Sequence, residues 1–228
     1  MPDRTRARQL AAQYLAQGDP TGWFEQLYRE AEDSKGPPVP WVELQPNPNL
    51  LDFWKKHPIR GQGKTALAIG CGLGDDSEQL ADWAFTTTAF DISETAIHAC
   101  RRRFPHSRVE YVVGDLLRPP QSWQGSFDFV VEIYTLQVLP PEMRQPAIKR
   151  VAGFVSDGGK LLVIARGRDE SDPRGEMPWP LTRRELAHFT GVGLTEISFE
   201  DFFDSEHPPA RRFRAFYSRP EQQECPPD

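Results

Sequence analysis

The sequence predicts an α/β chain: a doubly wound, mostly parallel sheet preceded by a helical N-terminal cover. Three observations predict it. The stretch Ala66-Leu-Ala-Ile-Gly-Cys-Gly-Leu-Gly-Asp-Asp-Ser-Glu-Gln-Leu80 reads as a buried strand, a glycine turn and a helix start. After it, strand-like and helix-like runs alternate, which is the signature of parallel strands joined by crossover helices. Near the end, Thr195, Ile197 and Phe199 alternate with polar residues, and so do Phe213, Ala215 and Tyr217. Two successive strands with no helix between them predict an antiparallel hairpin at one sheet edge.

Composition narrows the class. The chain has 228 residues, enough for one full core. It is 38% hydrophobic and 26% charged, as in soluble globular proteins. The formal charge is −6, with no Lys/Arg-rich block, which counts against a nucleic-acid partner. No apolar run approaches the roughly 20 residues of a membrane span. Cys71, Cys100 and Cys225 are too scattered for a metal site. Their odd number, with no signal peptide, leads to the expectation of a cytoplasmic protein.

Within the first strand unit, Gly70, Gly72 and Gly74 let the backbone approach a ligand, because no Cβ intervenes. The spacing is not Gly-x-Gly-x-x-Gly, and no Gly-Lys-Ser/Thr follows. Asp75 and Asp76 beside the turn would repel phosphates and tolerate a cationic centre. The pattern Ile69-Gly-Cys-Gly-Leu-Gly74 resembles the cofactor loop of class I S-adenosylmethionine-dependent methyltransferases. That resemblance implies S-adenosyl-L-methionine as cofactor. It also implies a seven-stranded sheet of order 3-2-1-4-5-7-6 with only strand 7 antiparallel.

Two acids extend the resemblance. Thr86 to Ser93 is a β-prone run holding Asp91, 17 residues after Gly74, where an acid accepts from ribose hydroxyls. Ile92 follows it, and Ser93 is placed to cap a helix over Glu94 to Arg103. Val109 to Leu117 is a third strand with Asp115 near its end. In the family that acid accepts from the adenine amino group, with Leu116 packed near the ring.

The preceding residues read as cover. Arg4 to Gln17 and Gly22 to Glu32 are helical, the second capped by Thr21 and striped with Trp23, Phe24, Leu27 and Tyr28. Gly36 to Leu51 holds five prolines, which keep it extended, and carries Trp41. Residues 1–60 are therefore expected as cover, 61–219 as the Rossmann-like domain and 220–228 as a disordered tail. Trp23, Pro40-Trp41 and Pro48-x-Leu50 ahead of Gly-Cys-Gly-x-Gly-x-Asp76 resemble the thiopurine, thiol and halide methyltransferase branch. A second tryptophan expected a turn after Trp23 is missing. In that branch the aromatic segment folds over cofactor and substrate, which makes Trp41 a candidate for both.

The remaining elements frame the acceptor. Phe127 to Leu139 reads as strand four, with Glu132 and Tyr134 in the loop that the resemblance puts beside the reactive sulfur. Glu132 is a candidate for cofactor-loop support or proton removal, and Tyr134 for a catalytic role and for substrate contact. Asn/Asp-Pro-Pro-Tyr/Phe, carried here by nucleic-acid adenine methyltransferases, is absent. Pro140 and Pro141 open a helix that Asp157-Gly-Gly159 ends, and Lys160 to Ala165 is a central strand. Arg166 and Arg168 follow as candidates for an anionic substrate, with Trp179 in a loop, Asp169 to Pro180, that reads as a lid. Thr182-Arg-Arg-Glu185 is a capping box.

The function expected is in-line methyl transfer to a small molecule. A thiol suits it best, because it is partly ionised near neutrality and needs little base. No His/Asp metal-ligand set is evident, and His98 and His106 read as surface residues. A nicotinamide-dependent oxidoreductase using Asp91, and a catalytically silent binding protein of the same fold, remain as alternatives.

Overall fold

A computed structural model describes residues 3–32 and 38–221. The expected tail beyond residue 221 lies outside the described residues, and so does Cys225. Seven strands form one sheet: β1 (Thr65–Ile69), β2 (Thr86–Asp91), β3 (Glu110–Val113), β4 (Phe127–Ile133), β5 (Val155–Arg166), β6 (Thr195–Phe203) and β7 (Arg211–Ser218). Their order is β3-β2-β1-β4-β5-β7-β6, as the resemblance implies. Neighbours among β1 to β5 run parallel, while β7 is antiparallel to both β5 and β6.

Strand periodicity sorts the side chains into two layers. Leu67 and Ile69 face one side of the sheet, where α6 (Pro141–Phe154) and α7 (Arg183–Gly191) bury Ile148, Val151, Leu186 and Phe189. Ala66 and Ala68 face the other. There α3 (Pro48–Lys56), α4 (Asp75–Asp82) and α5 (Glu94–Arg103) bury Leu50, Phe53, Leu80 and Ile97. In β5, Leu161 to Ala165 are buried on both faces, which explains the unbroken apolar run. The cover helices α1 (Thr5–Ala16) and α2 (Gly22–Glu32) share a third cluster, in which Leu10, Trp23 and Leu27 meet Ala96 and Met177.

Several boundaries differ from expectation for local reasons. Helix α4 starts at Asp75, directly after the glycine turn, because Gly74 at φ 90° reverses the chain at once. Strand β4 stops at Ile133, where Tyr134 takes φ 66°, and Leu136–Val138 forms a 3-10 turn instead of more strand. Asp157-Gly-Gly159 does not end a helix. It lies inside β5, where the pairing with β4 shifts register and Gly158 adopts φ 72°. The N–H groups of Thr21 and Gly22 are taken by the Asp19 carboxylate at 3.2 and 2.8 Å, not by a Thr21 cap. Trp23 is core, 1% exposed, its indole N–H donating to Pro20 O.

Candidate functional site

Strand order reverses between β1 and β4, and a crevice opens beyond their carboxyl ends. Gly70, Gly72 and Gly74 leave β1 there, each with a left-handed φ of 60°, 55° and 90°. Their surroundings differ. A Cβ on Gly70 would stand 2.3 Å from Thr135 Oγ1, and one on Gly72 3.0 Å from the Tyr28 hydroxyl. Gly70 and Gly72 line a cavity of about 380 Å³. Gly74 does not; a Cβ there would meet Tyr111 OH at 2.5 Å, so this glycine serves the turn and the start of α4.

Asp91, Ile92, Asp115, Leu116, Trp41 and Tyr134 line the same cavity. Asp91 is 7% exposed; its Oδ2 accepts from Gly72 N and its Oδ1 from Ser93 N, both at 2.9 Å. Burial raises its pKa, and those backbone donors oppose the rise. Ser93 caps α5 through Ala96 N, as its sequence position suggests. Glu25 of α2 accepts from Ser93 Oγ at 2.7 Å and from Thr95 N and Oγ1, so the cover grips the turn that carries Asp91. Asp115 Oδ1 accepts from Leu117 N at 2.8 Å. Asp76 Oδ1 accepts from Asn47 N at 2.6 Å, and burial pushes this carboxyl up to about 6. Asp75 instead pairs with Arg103, with both oxygens at 2.8 Å.

Arg166, Arg212, Glu206 and Gln137 also line the cavity. Tyr134 OH accepts from Asn49 Nδ2 at 3.1 Å, and the Arg212 guanidinium lies 4.7 Å from its ring centre. Arg168 and Trp179, expected at the substrate, are not in this lining. Arg168 donates to Pro180 O, Asp169 O and Asp172 O, and so pins its own loop. Trp179 N donates to Gln137 O at 2.7 Å. In the loop expected as a lid, residues 171–176 are exposed, while Met177 and Pro178 are buried against the cavity.

Glu132 is fully buried behind the cavity wall rather than facing it. Its Oε1 accepts from Thr135 N at 2.7 Å and Leu136 N at 2.9 Å, and burial pushes its pKa up to about 7. That geometry holds a loop; it does not present a base to a substrate. Residues unforeseen at the cavity include Tyr28, which accepts from Trp41 Nε1 at 3.1 Å, and Arg212. Tyr28 looked like one position of an apolar stripe. Arg212 looked like the polar face of an alternating strand, and only the central place of β7 reveals otherwise.

Bare backbone at Gly70 and Gly72, two carboxylates with unused lone pairs and apolar walls between them suit a nucleoside. The acids around the turn favour a cationic rather than a phosphorylated extension. Among the described residues, no cluster of three or more His, Cys, Asp or Glu is arranged to hold a metal ion.

Known proteins resemble this chain in sequence and in fold. Residues 66–159 match the family described as "Methyltransferase domain". The thiopurine S-methyltransferase of Vibrio vulnificus (strain YJ016) is 24% identical over 179 residues, covering 71% of this chain and 80% of the relative. A protein solved in work on the conversion of a disulfide bond into a thioacetal group during echinomycin biosynthesis superposes with a TM-score of 0.72. It is 19% identical and covers 89% of this chain and 94% of that one. The 1,6-didemethyltoxoflavin-N1-methyltransferase of Burkholderia thailandensis, solved with its substrate and S-adenosylhomocysteine, gives 0.68 at 15% identity, covering 97% and 94%.

Proposed function

We infer that the chain is a class I S-adenosylmethionine-dependent methyltransferase and that it methylates a small molecule through a soft nucleophile, a thiol above all. This assignment removes the nicotinamide alternative. S-adenosylmethionine, when bound, supplies a methyl group on a sulfonium, an electrophile whose leaving group is neutral. In our assignment Asp91 accepts from the ribose hydroxyls, while Asp115 and Leu116 hold the adenine. Gly70 and Gly72 admit the backbone-side approach. Asp76, desolvated and facing the cavity, balances positive charge on the methionyl arm. Trp41 and Tyr28 close the cavity from the cover. Residues 1–60 then act as cover and 61–219 as the catalytic domain.

What these residues do for the reaction is align and exclude water, which supplies several kcal/mol toward an in-line displacement. The observation that carries the thiol proposal is the state of Glu132. The most buried acid at the acceptor end is tied to two backbone N–H groups behind the wall. An acceptor that brings its own ionised atom fits such a site better than a hydroxyl that must be deprotonated. The aromatic cover and the thiopurine S-methyltransferase likeness support the same choice.

The test is methyl transfer from labelled donor to a panel of thiols, halides, phenols and amines. Thiols should give the highest kcat/KM. A phenol or amine exceeding every thiol tenfold would reject the thiol and leave the cofactor assignment standing.

A further inference from the structure

The acceptor end of the cavity holds a guanidinium without its hydrogen-bonding anion. Arg166 stands at the last residue of β5, its backbone N–H donating to Gln137 Oε1 at 2.7 Å, so the strand end is fixed. Its side chain is 16% exposed and lines the cavity. Among the described residues, its buried Nη2 has no hydrogen-bond partner. Glu206 Oε2 lies 3.7 Å away, an ion-pair distance too long for a hydrogen bond. Glu206 is also engaged elsewhere, since its Oε1 takes Arg212 Nη2, while Asp204 takes Arg212 Nε.

The local charges leave room for another anion. Burial and the neighbouring Arg212 depress the pKa of Arg166, and Glu206, Tyr134 and Asp204 only partly offset them. Guanidiniums that repel one another in a desolvated pocket are stabilised by an anion from outside. Donors on a rigid planar fork match the two oxygens of a carboxylate. Tyr134, stacked on Arg212, gives the same end a flat face.

We propose that the methyl acceptor carries a carboxylate, received by Arg166 where the end of β5 meets the cavity. The proposal builds on the small-molecule assignment above and specifies its substrate class. The acid is an anchor; a second atom of the same molecule, a thiol in our assignment, is the one methylated.

The experiment titrates 4-mercaptobenzoate, then its methyl ester, into the full chain saturated with S-adenosylhomocysteine, so that binding is read without turnover. The acid should bind at least tenfold tighter than the ester, and R166Q should bring the two within about twofold. R166K keeps the charge and loses the fork, so it should fall between. Should R166Q no longer bind S-adenosylhomocysteine, R166K carries the comparison alone. Equal affinity for acid and ester in the parent protein overturns the proposal. So does a preference that R166Q or R166K leaves unchanged. A parallel turnover assay with S-adenosylmethionine reads methylation of the same two compounds. An acid preference in binding with neither thiol methylated leaves the carboxylate anchor standing and removes the thiol assignment. Methylation of both with no acid preference in binding does the reverse.

Discussion

Asp91 holds the glycine turn and the start of α5 with one carboxylate, using Gly72 N and Ser93 N. Its remaining lone pairs face the cavity. Asp91→Ala should therefore weaken S-adenosylhomocysteine binding by about 1–3 kcal/mol, the worth of charge-assisted hydrogen bonds, as read by calorimetric titration. Unchanged affinity would remove the ribose role. Glu132 makes a prediction of a different kind. Its pKa rises from an ordinary 4.5 to about 7 because burial disfavours the charged form. The folded state thus holds a proton that the unfolded chain has released, and stability falls as pH rises from about 5 to about 8. Urea unfolding at those two pH values should show a loss of about 1–3 kcal/mol, and Glu132→Gln should flatten it. An equal pH dependence in the variant would show that Glu132 is not its source. The identities of Asp91 and Ser93 were legible in the sequence because the chemistry is local, spanning three residues. The place of Glu132 was not, since its burial comes from β1 and β5 on either side of β4.

Elements are joined by groups far apart in the chain. The Arg214 guanidinium on β7 donates to Asn49 O at 2.8 Å and Asp52 Oδ2 at 2.9 Å on α3, and to both oxygens of Glu200 on β6. It is 1% exposed, and removing it leaves Asp52 and Glu200 to Lys56 alone, frees the Asn49 carbonyl and opens space beside Phe53. Arg214→Ala should destabilise the protein by about 3 kcal/mol in urea unfolding. The capping box of α7 is smaller in effect. Thr182 Oγ1 takes Glu185 N while Glu185 takes Thr182 N, and Thr182→Ala should cost about 1 kcal/mol. The box was readable from four residues. The loss of Arg168 to its own loop was not, because it depends on carbonyls at 169, 172 and 180 and on Glu185 near 3.8 Å. The hairpin and strand order followed from periodicity and resemblance together; periodicity alone gives strands but not which neighbours they take.

Across the described residues, several of the hydrogen bonds that involve the cover lie at or beside the cavity. Glu25 reaches the β2–α5 turn and Asn47 reaches Asp76, while within the cover Trp41 donates to Tyr28, whose hydroxyl stands over Gly72. A ligand that binds the closed form stabilises those contacts by mass action. Saturation with S-adenosylhomocysteine should slow amide hydrogen exchange across residues 38–47 well beyond the change at the centres of β4 and β5. Equal changes in both places would show that the cover does not close on the cofactor.

The position of β7 has one more consequence. This strand lies between β5 and β6, so the inner neighbour of β5 is synthesised only after the edge strand β6. Until residues 211–218 have left the ribosome, the nascent chain exposes the apolar rim of Leu161 to Ala165 as an unpaired border. A premature stop codon anywhere before 211 would thus yield not a shorter enzyme but a sticky fragment, one for chaperones and proteases to clear.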